Sequence, residues 1–166
     1  MKNLYAPWRD IYTTGTARTN KGDEPQKSCI FCIQIAAHQD EKYFILKRYK
    51  HHVVMLNLYP YNAGHLLIVS YEHVPDLVAL SETARAELME ISSQCTSVLY
   101  KALKADGINV GLNLGKAAGA GVPSHIHLHV LPRFTGDTNF MPTLAETKVI
   151  SFDLHKIYAQ LKEYFV

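Results

Sequence analysis

Residues 124 to 133, Ser-His-Ile-His-Leu-His-Val-Leu-Pro-Arg, carry three histidines at every second position. Alternation with period two predicts a β-strand, in which successive side chains point to opposite faces. His125, His127 and His129 then share one face; Ile126, Leu128 and Val130 share the other, where they can fill a core. A chain holding this segment must build a sheet with one apolar face and one face that gathers imidazoles. A lone strand histidine is ordinarily a solvated or hydrogen-bonded polar residue. Three in register against a wholly apolar opposite face point to chemistry.

The rest of the chain supplies the sheet. YFILKRY (43–49), HVVMLNL (52–58) and HLLIVSY (65–71) are rich in β-branched and aromatic residues and predict three strands. A tight turn near Lys50-His51 joins the first two, and YPYNAG turns into the third. Asp76 to Leu80 reads as a short helix. Ser81 with Glu82 opens a longer one to about Lys104, with Leu88, Ile91, Cys95, Val98, Leu99 and Leu103 at three- and four-residue spacing. Asp106-Gly107 is the expected stop. INVGLNLG (108–115) is a fourth strand, KAAGAGVPS a glycine-rich loop, and the histidine strand is the fifth. DLHKIYAQLKEYFV places Leu154, Ile157, Leu161 and Phe165 on one face of a C-terminal helix, 153–165. CIFCIQIAAH (29–38) starts a short helix, and 1–28 is an irregular, polar N-terminal segment. Three strands, a helix and two strands with short links give an α+β class, an antiparallel sheet with one long helix packed on it. A length of 166 residues suits a single domain over 1–166.

Charge narrows the partners. Seventeen Lys and Arg against fifteen Asp and Glu leave +2, without a block of like charges. That balance makes no strong case for duplex nucleic acid or a membrane surface, and it leaves anionic small ligands open. No apolar run approaches the ~18 residues of a membrane span. MKNLYAPWRDIY lacks the apolar core of a signal peptide, and the three cysteines are an odd number. A reducing, cytoplasmic location without a disulfide framework is expected.

Two chemistries suit the histidine strand. Residues i and i+2 lie roughly 6.6 to 6.8 Å apart along a strand and can converge on one zinc, but an i, i+4 pair is roughly 13 Å apart. The second is phosphate chemistry. A neutral imidazole is a nucleophile near pH 7, and a neighbouring imidazolium can donate to a phosphate oxygen or a leaving group. GKAAGAGVPS (115–124), just before the strand, has glycines that let backbone N–H groups approach a phosphate.

His125-Ile-His127-Leu-His129-Val-Leu131 resembles the signature of the histidine-triad (HIT) nucleotide hydrolases and transferases. The resemblance extends over roughly residues 4 to 150. Asn57-Leu-Tyr-Pro-Tyr-Asn-Ala-Gly-His65 is similar to the family's ribose-binding strand-turn-strand. Leu-Tyr-Ala-Pro-Trp-Arg near the start, Cys-Ile-Phe-Cys, and Gly136-Asp-Thr-Asn-Phe-Met-Pro142 resemble a bacterial branch akin to the Fhit-like dinucleoside polyphosphate hydrolases and the small diadenosine tetraphosphate phosphorylases.

The resemblance implies that His127 attacks the α-phosphorus and forms a nucleotidyl-histidine intermediate. His129 would contact the phosphate and assist the leaving group, His125 would prop the site, and His65 would sit beside the triad. Asn57 would bind the ribose hydroxyls and Asn113 the scissile phosphate. Amides around Gly121 and Val122 would hold the α-phosphate. The loop departs from the family's pattern: many relatives have glutamine after Ala-Gly, whereas Ala118-Gly119 is followed here by Ala120. Ser124 and Asn139 are alternative phosphate ligands. Met55 and Leu58 either line the adenine pocket or belong to the strand core. Tyr59 and Tyr61 either stack on a base or pack. The resemblance also implies a structural Zn²⁺ held by Cys29, Cys32, His73 and His125, with His65 as the substitute ligand in another register, and a homodimer in which two sheets form a ten-stranded arrangement. No organic cofactor is expected.

Rival readings come from other classes. Cys29 and Cys32 are otherwise a redox pair or two buried thiols. The chain is otherwise a nucleotide-binding scaffold with incidental activity, or a metal-dependent hydrolase. Cys95 reads as helix core; His38, His51, His52 and His155 read as surface residues, and Trp8 with Arg9 as a cap on the site or the dimer.

Overall fold

Five short segments of β-branched and aliphatic residues pair into one antiparallel sheet in the order β1-β2-β3-β5-β4 in the computed structural model, which describes residues 26, 28–145 and 152–165. The strands are β1 (Ile45–Arg48), β2 (His52–Leu56), β3 (Leu66–Ser70), β4 (Gly107–Leu112) and β5 (His127–Arg133). The helices are α1 (Ile30–Ala36), α2 (Glu82–Leu103), α3 (Met141–Ala145) and α4 (Leu154–Lys162). Trp8, Arg9 and nearly all of the segment read as irregular lie outside the described residues.

The α+β reading holds. α2 carries the chain from β3 across the sheet to β4, so β5 can return between β3 and β4. Ser81 caps α2: its hydroxyl accepts the N–H of Ala84 at 3.1 Å, an interaction that contributes about 1 kcal/mol. α2 ends at Leu103, as its spacing to about Lys104 predicts, but the cap is Lys104 itself rather than the Asp106-Gly107 pair. Lys104 takes a left-handed conformation, φ 54° and ψ 41°. The reason lies in the sheet: the Asp106 N–H goes to the Arg133 carbonyl at 2.9 Å, and Gly107 opens β4 opposite Arg133.

The sheet buries both faces, with different contents. On one side Val54, Leu56, Leu66, Ile68, Leu128 and Val130 pack on Leu88, Ile91, Cys95 and Leu99 of α2, and on Leu161 and Phe165 at the C-terminus. On the other side Val53, Met55, Leu67 and Val69 pack on Cys29, Phe31 and Ile35 of the α1 region. α1 is short, and the histidines share this second side. α4 secures the edge strand β1, since Tyr158 Oη donates to the Ile45 carbonyl at 3.1 Å and Lys162 Nζ to the Leu46 carbonyl at 2.6 Å.

Three local expectations are corrected. Asp76 to Leu80 is a bent segment, not a helix; the Asp76 carboxylate takes the Ala79 N–H at 3.1 Å, so a side chain supplies the local bond that a helix would have made. α3 forms where no helix was expected, with Asn139 Oδ1 accepting the Met141 N–H at 2.9 Å. His52 is not on the surface. It is 1% exposed, on the α2 side of β2, with Nδ1 2.8 Å from Glu87 Oε2.

Candidate active site

β5 starts at His127, so His125 precedes the ladder and only His127 and His129 stand within it. They pair with Val69 and Leu67 of β3, whose side chains face α1. Leaving the ladder frees His125 to aim elsewhere. Its Nδ1 lies 3.4 Å from Cys29 Sγ and 3.4 Å from Cys32 Sγ, and His73 Nδ1 lies 3.3 Å from Cys32 Sγ.

Each ring's tautomer follows from its partners. His125 Nε2 lies 2.8 Å from the Ser70 carbonyl, which only accepts. The proton is therefore on Nε2, and the Nδ1 lone pair faces the two thiols. His127 is the mirror case: Nδ1 lies 2.8 Å from the His125 carbonyl. Its proton is on Nδ1, and Nε2 keeps a free lone pair. His65 receives the Tyr61 N–H on Nδ1 at 3.1 Å, with Asn57 Nδ2 3.4 Å from the same nitrogen. Its proton is on Nε2, which lies 2.9 Å from His129 Nδ1. His129 accepts there, so a neutral His129 carries its proton on Nε2. Three backbone groups thus set the lone pair of His125, the lone pair of His127 and, through His65, the proton of His129.

Burial favours the neutral form of His65, His125 and His127. Desolvation pushes the His65 pKa down to about 3, helped by His129 and His127, and that of His125 down to about 4. His127, 7% exposed, is lowered for the same reason. Aromatic contacts fix the rings. Phe31, between the two cysteines, sits 5.5 Å from the His125 ring and 5.0 Å from that of His127. Tyr61 stacks on His129 at 5.8 Å and 15°.

The loop leading to His65 depends on Gly64. Its φ is +78°, and a Cβ there would run into Leu103 Cδ1, so no other residue fits without a shift.

Cys29, Cys32, His73 and His125 form a group that can bind a metal, with ligand atoms all within 4.8 Å of one another. The donor set fits a tetrahedral ion. A zinc with Zn–S of about 2.3 Å and Zn–N of about 2.0–2.1 Å sets neighbouring S and N about 3.5 Å apart. The Ser70 carbonyl on His125 Nε2 orients the ligand from behind, as partners of metal-bound histidine do. Burial and the Cys29 thiol raise the Cys32 pKa to about 11, so a bound cation must displace that proton.

The HIT domain family model matches residues 38–136. The chain belongs to the HIT family. It is 35% identical over 150 residues, 90% of its length, to the AP-4-A phosphorylase of Mycobacterium tuberculosis, and covers 77% of that protein. It is 31% identical over 93 residues to the asymmetrical bis(5'-nucleosyl)-tetraphosphatase of Schizosaccharomyces pombe, matching 56% of this chain and 50% of that protein. Among solved structures, a Zn-bound histidine triad family protein from Mycobacterium smegmatis superposes with a TM-score of 0.69 at 25% identity, over 85% of this chain and 95% of the other.

For this HIT protein the structure brings His65, His127 and His129 together with Asn57, and His125 with the cysteines and His73. His65 is the neighbour of His129 and takes no part in the metal group. Asn113 follows Leu112, which pairs with Leu128, and so continues β4 toward His127. Val122 packs against the α1-side cluster, and Gly121 is exposed. Ser124 is 6% exposed, and among the described residues its Oγ has no hydrogen-bond partner. Asn139 is exposed and caps α3. Met55 is core, and Leu58 is 39% exposed. Asn57 Oδ1 accepts the Tyr59 N–H at 2.9 Å, so this side chain also shapes the turn. Phe31 as a prop for two histidines and the Tyr61 N–H as a tautomer-setting donor were missed. The position of Phe31 inside Cys-x-x-Cys is the signal for the first. A backbone group carries no signal for the second.

Proposed function

We propose that this protein is a nucleotide hydrolase or transferase that cleaves a dinucleoside polyphosphate, such as diadenosine tetraphosphate, or a nucleoside phosphoramidate at the α-phosphate. The observation that carries this reading is the His127 tautomer, with Nδ1–H held by a carbonyl and the Nε2 lone pair free. Nε2 attacks the α-phosphorus, and the bond from phosphorus to the leaving group breaks. His129 Nε2–H hydrogen-bonds to the departing oxygen or nitrogen and steadies its growing charge; a polyphosphate leaves as the anion, and an amine leaving group takes its proton from solvent. The nucleotidyl-His127 so formed keeps its Nδ1–H on the His125 carbonyl, which steadies the charge on the ring. Water, releasing its proton to solvent, or inorganic phosphate then attacks phosphorus; the P–N bond breaks and His127 leaves with its lone pair restored. Such chemistry asks for positioning and charge stabilisation, which imidazoles and amides supply.

In this reading Asn57 meets the ribose, Leu58 the adenine, and Asn113 with the amides of Gly121 and Val122 the phosphates. The buried Ser124 hydroxyl supports a place for it as a phosphate donor, because buried polar groups are almost always paired. The metal group takes Zn²⁺ and is structural: four protein ligands close a tetrahedron. Among the described residues, the group of metal-ligating side chains excludes His127 and His129, which weighs against a metal-dependent hydrolase. A homodimer joined beside β4 is supported by the place of β4 at the sheet edge, with Val110 46% exposed.

The names of the two curated relatives differ in the acceptor, so the test must separate them. Purified protein is incubated with diadenosine tetraphosphate, with and without inorganic phosphate, alongside His127→Ala. AMP plus ATP under both conditions indicates hydrolysis; ADP plus ATP only with phosphate indicates phosphorolysis. Wild type as inert as His127→Ala toward this substrate and toward an adenosine phosphoramidate would overturn the reading in favour of a binding scaffold.

A further inference from the structure

Asp137 lies in the turn after β5, and its carboxylate is 7% exposed. It gathers donors from two places. Arg133 approaches bidentately, Nε at 2.7 Å and Nη2 at 3.0 Å, and the Phe134 N–H at 3.1 Å. Asn62 Nδ2, from the loop between β2 and β3, donates at 2.8 Å and also lies 3.1 Å from the Pro132 carbonyl. The carbonyl of Asn62 in turn accepts the His65 N–H at 3.2 Å. The residue before Asn62 is Tyr61, whose N–H holds His65 Nδ1 and whose ring covers His129.

We propose that Asn62 and Asp137 are positioning residues for the site: they clamp the 57–65 loop to the end of the histidine strand and thereby hold the Tyr61–His65–His129 relay in one tautomer. A nearly buried carboxylate with charged and amide donors is a strong anchor. Arg133, which also reaches Asn109 Oδ1 at 3.1 Å, fixes that anchor to β4 and β5. Loop and triad are then one unit, although 65 and 129 are far apart in sequence. The consequence for turnover rests on the proposed reaction; the consequence for the tautomer does not.

Asn62→Ala cuts the clamp while leaving the Arg133–Asp137 pair in place, and Asn62→Ser is a milder second variant if the first folds poorly. Asp106→Asn is the control, since Asp106 holds the Thr135 N–H of the same turn at 2.6 Å without touching the loop. The expected result is a roughly tenfold or greater loss of kcat in both Asn62 variants, with KM within about twofold of wild type. Nitrogen-15 NMR of the histidine rings is expected to show His129 protonated on Nε2 in wild type and Asp106→Asn, and a mixture of tautomers in the Asn62 variants. Wild-type kcat with an unchanged His129 spectrum in a folded Asn62 variant would overturn the clamp. If even the wild type is inactive, the reaction assignment fails, and the NMR spectra alone decide on the clamp.

Discussion

His125 and His129 stand two residues to either side of His127, and they are held in opposite ways. His125 donates from Nε2 to the Ser70 carbonyl and turns its lone pair to two thiols. His129 accepts at Nδ1 from His65 and keeps its proton on Nε2. One flank therefore turns a lone pair toward two thiols, and the other turns an N–H outward, while His127 between them exposes a lone pair. In the proposed reaction these become a metal ligand, a hydrogen-bond donor to the leaving group and the nucleophile. Three identical side chains in one alternating pattern differ in what they present because the groups at their backs differ.

The contrast between the flanks predicts contrasting failures. His129→Ala should lower kcat by about 10²–10⁴, with metal content and thermal unfolding close to wild type. Cys32→Ser should do the reverse first: elemental analysis loses zinc and stability falls by several kcal/mol, with activity declining as the fold is lost. If chelation of the wild type stopped turnover at once without unfolding, the two flanks would not be separate. His65→Leu should cost roughly tenfold or more in kcat while sparing zinc, because it withdraws the donor that sets the His129 tautomer.

Smaller effects test the same division across the sheet. Glu87→Gln breaks a buried pairing with His52 on the α2 side, and should destabilise by about 1–3 kcal/mol with kcat unchanged; denaturant unfolding alongside the assay measures both. The pH profile is the finest test. Burial lowers the His127 pKa, so Nε2 stays unprotonated below the usual imidazole value of about 6.5. The acid limb of kcat/KM for the chemical step should accordingly fall below pH 6.5. A limb above that value would contradict a neutral, desolvated nucleophile.

The sheet and the long helix were legible because their signals are periodic. His127 with His129, Leu128 with Val130, or Leu88 with Ile91, Cys95 and Leu99, declare a face by spacing alone. The resemblance also implied the metal set correctly as a cluster, including His73, which no spacing rule links to Cys32. Elsewhere the deciding groups were backbone atoms or distant partners. Where β5 begins depends on pairing with β3, so period two wrongly carried His125 into the strand. His52 read as surface because Glu87, 35 positions away, gives no local sign of coming to meet it. The Tyr61 N–H and the His125 carbonyl set protons on catalytic candidates, and every residue except proline has the first while all have the second.

The most direct test is to catch the intermediate. Wild type and His129→Ala would be mixed with diadenosine tetraphosphate, quenched in alkali to protect phosphoramidate bonds, digested and mapped by mass spectrometry. The expected result is an adenylyl group on the peptide containing His127, localised to that residue, accumulating and decaying at rates that match turnover. Turnover with no adduct at any time, or an adduct on His125 or His129 instead, would contradict the assignment of His127 Nε2 as the nucleophile.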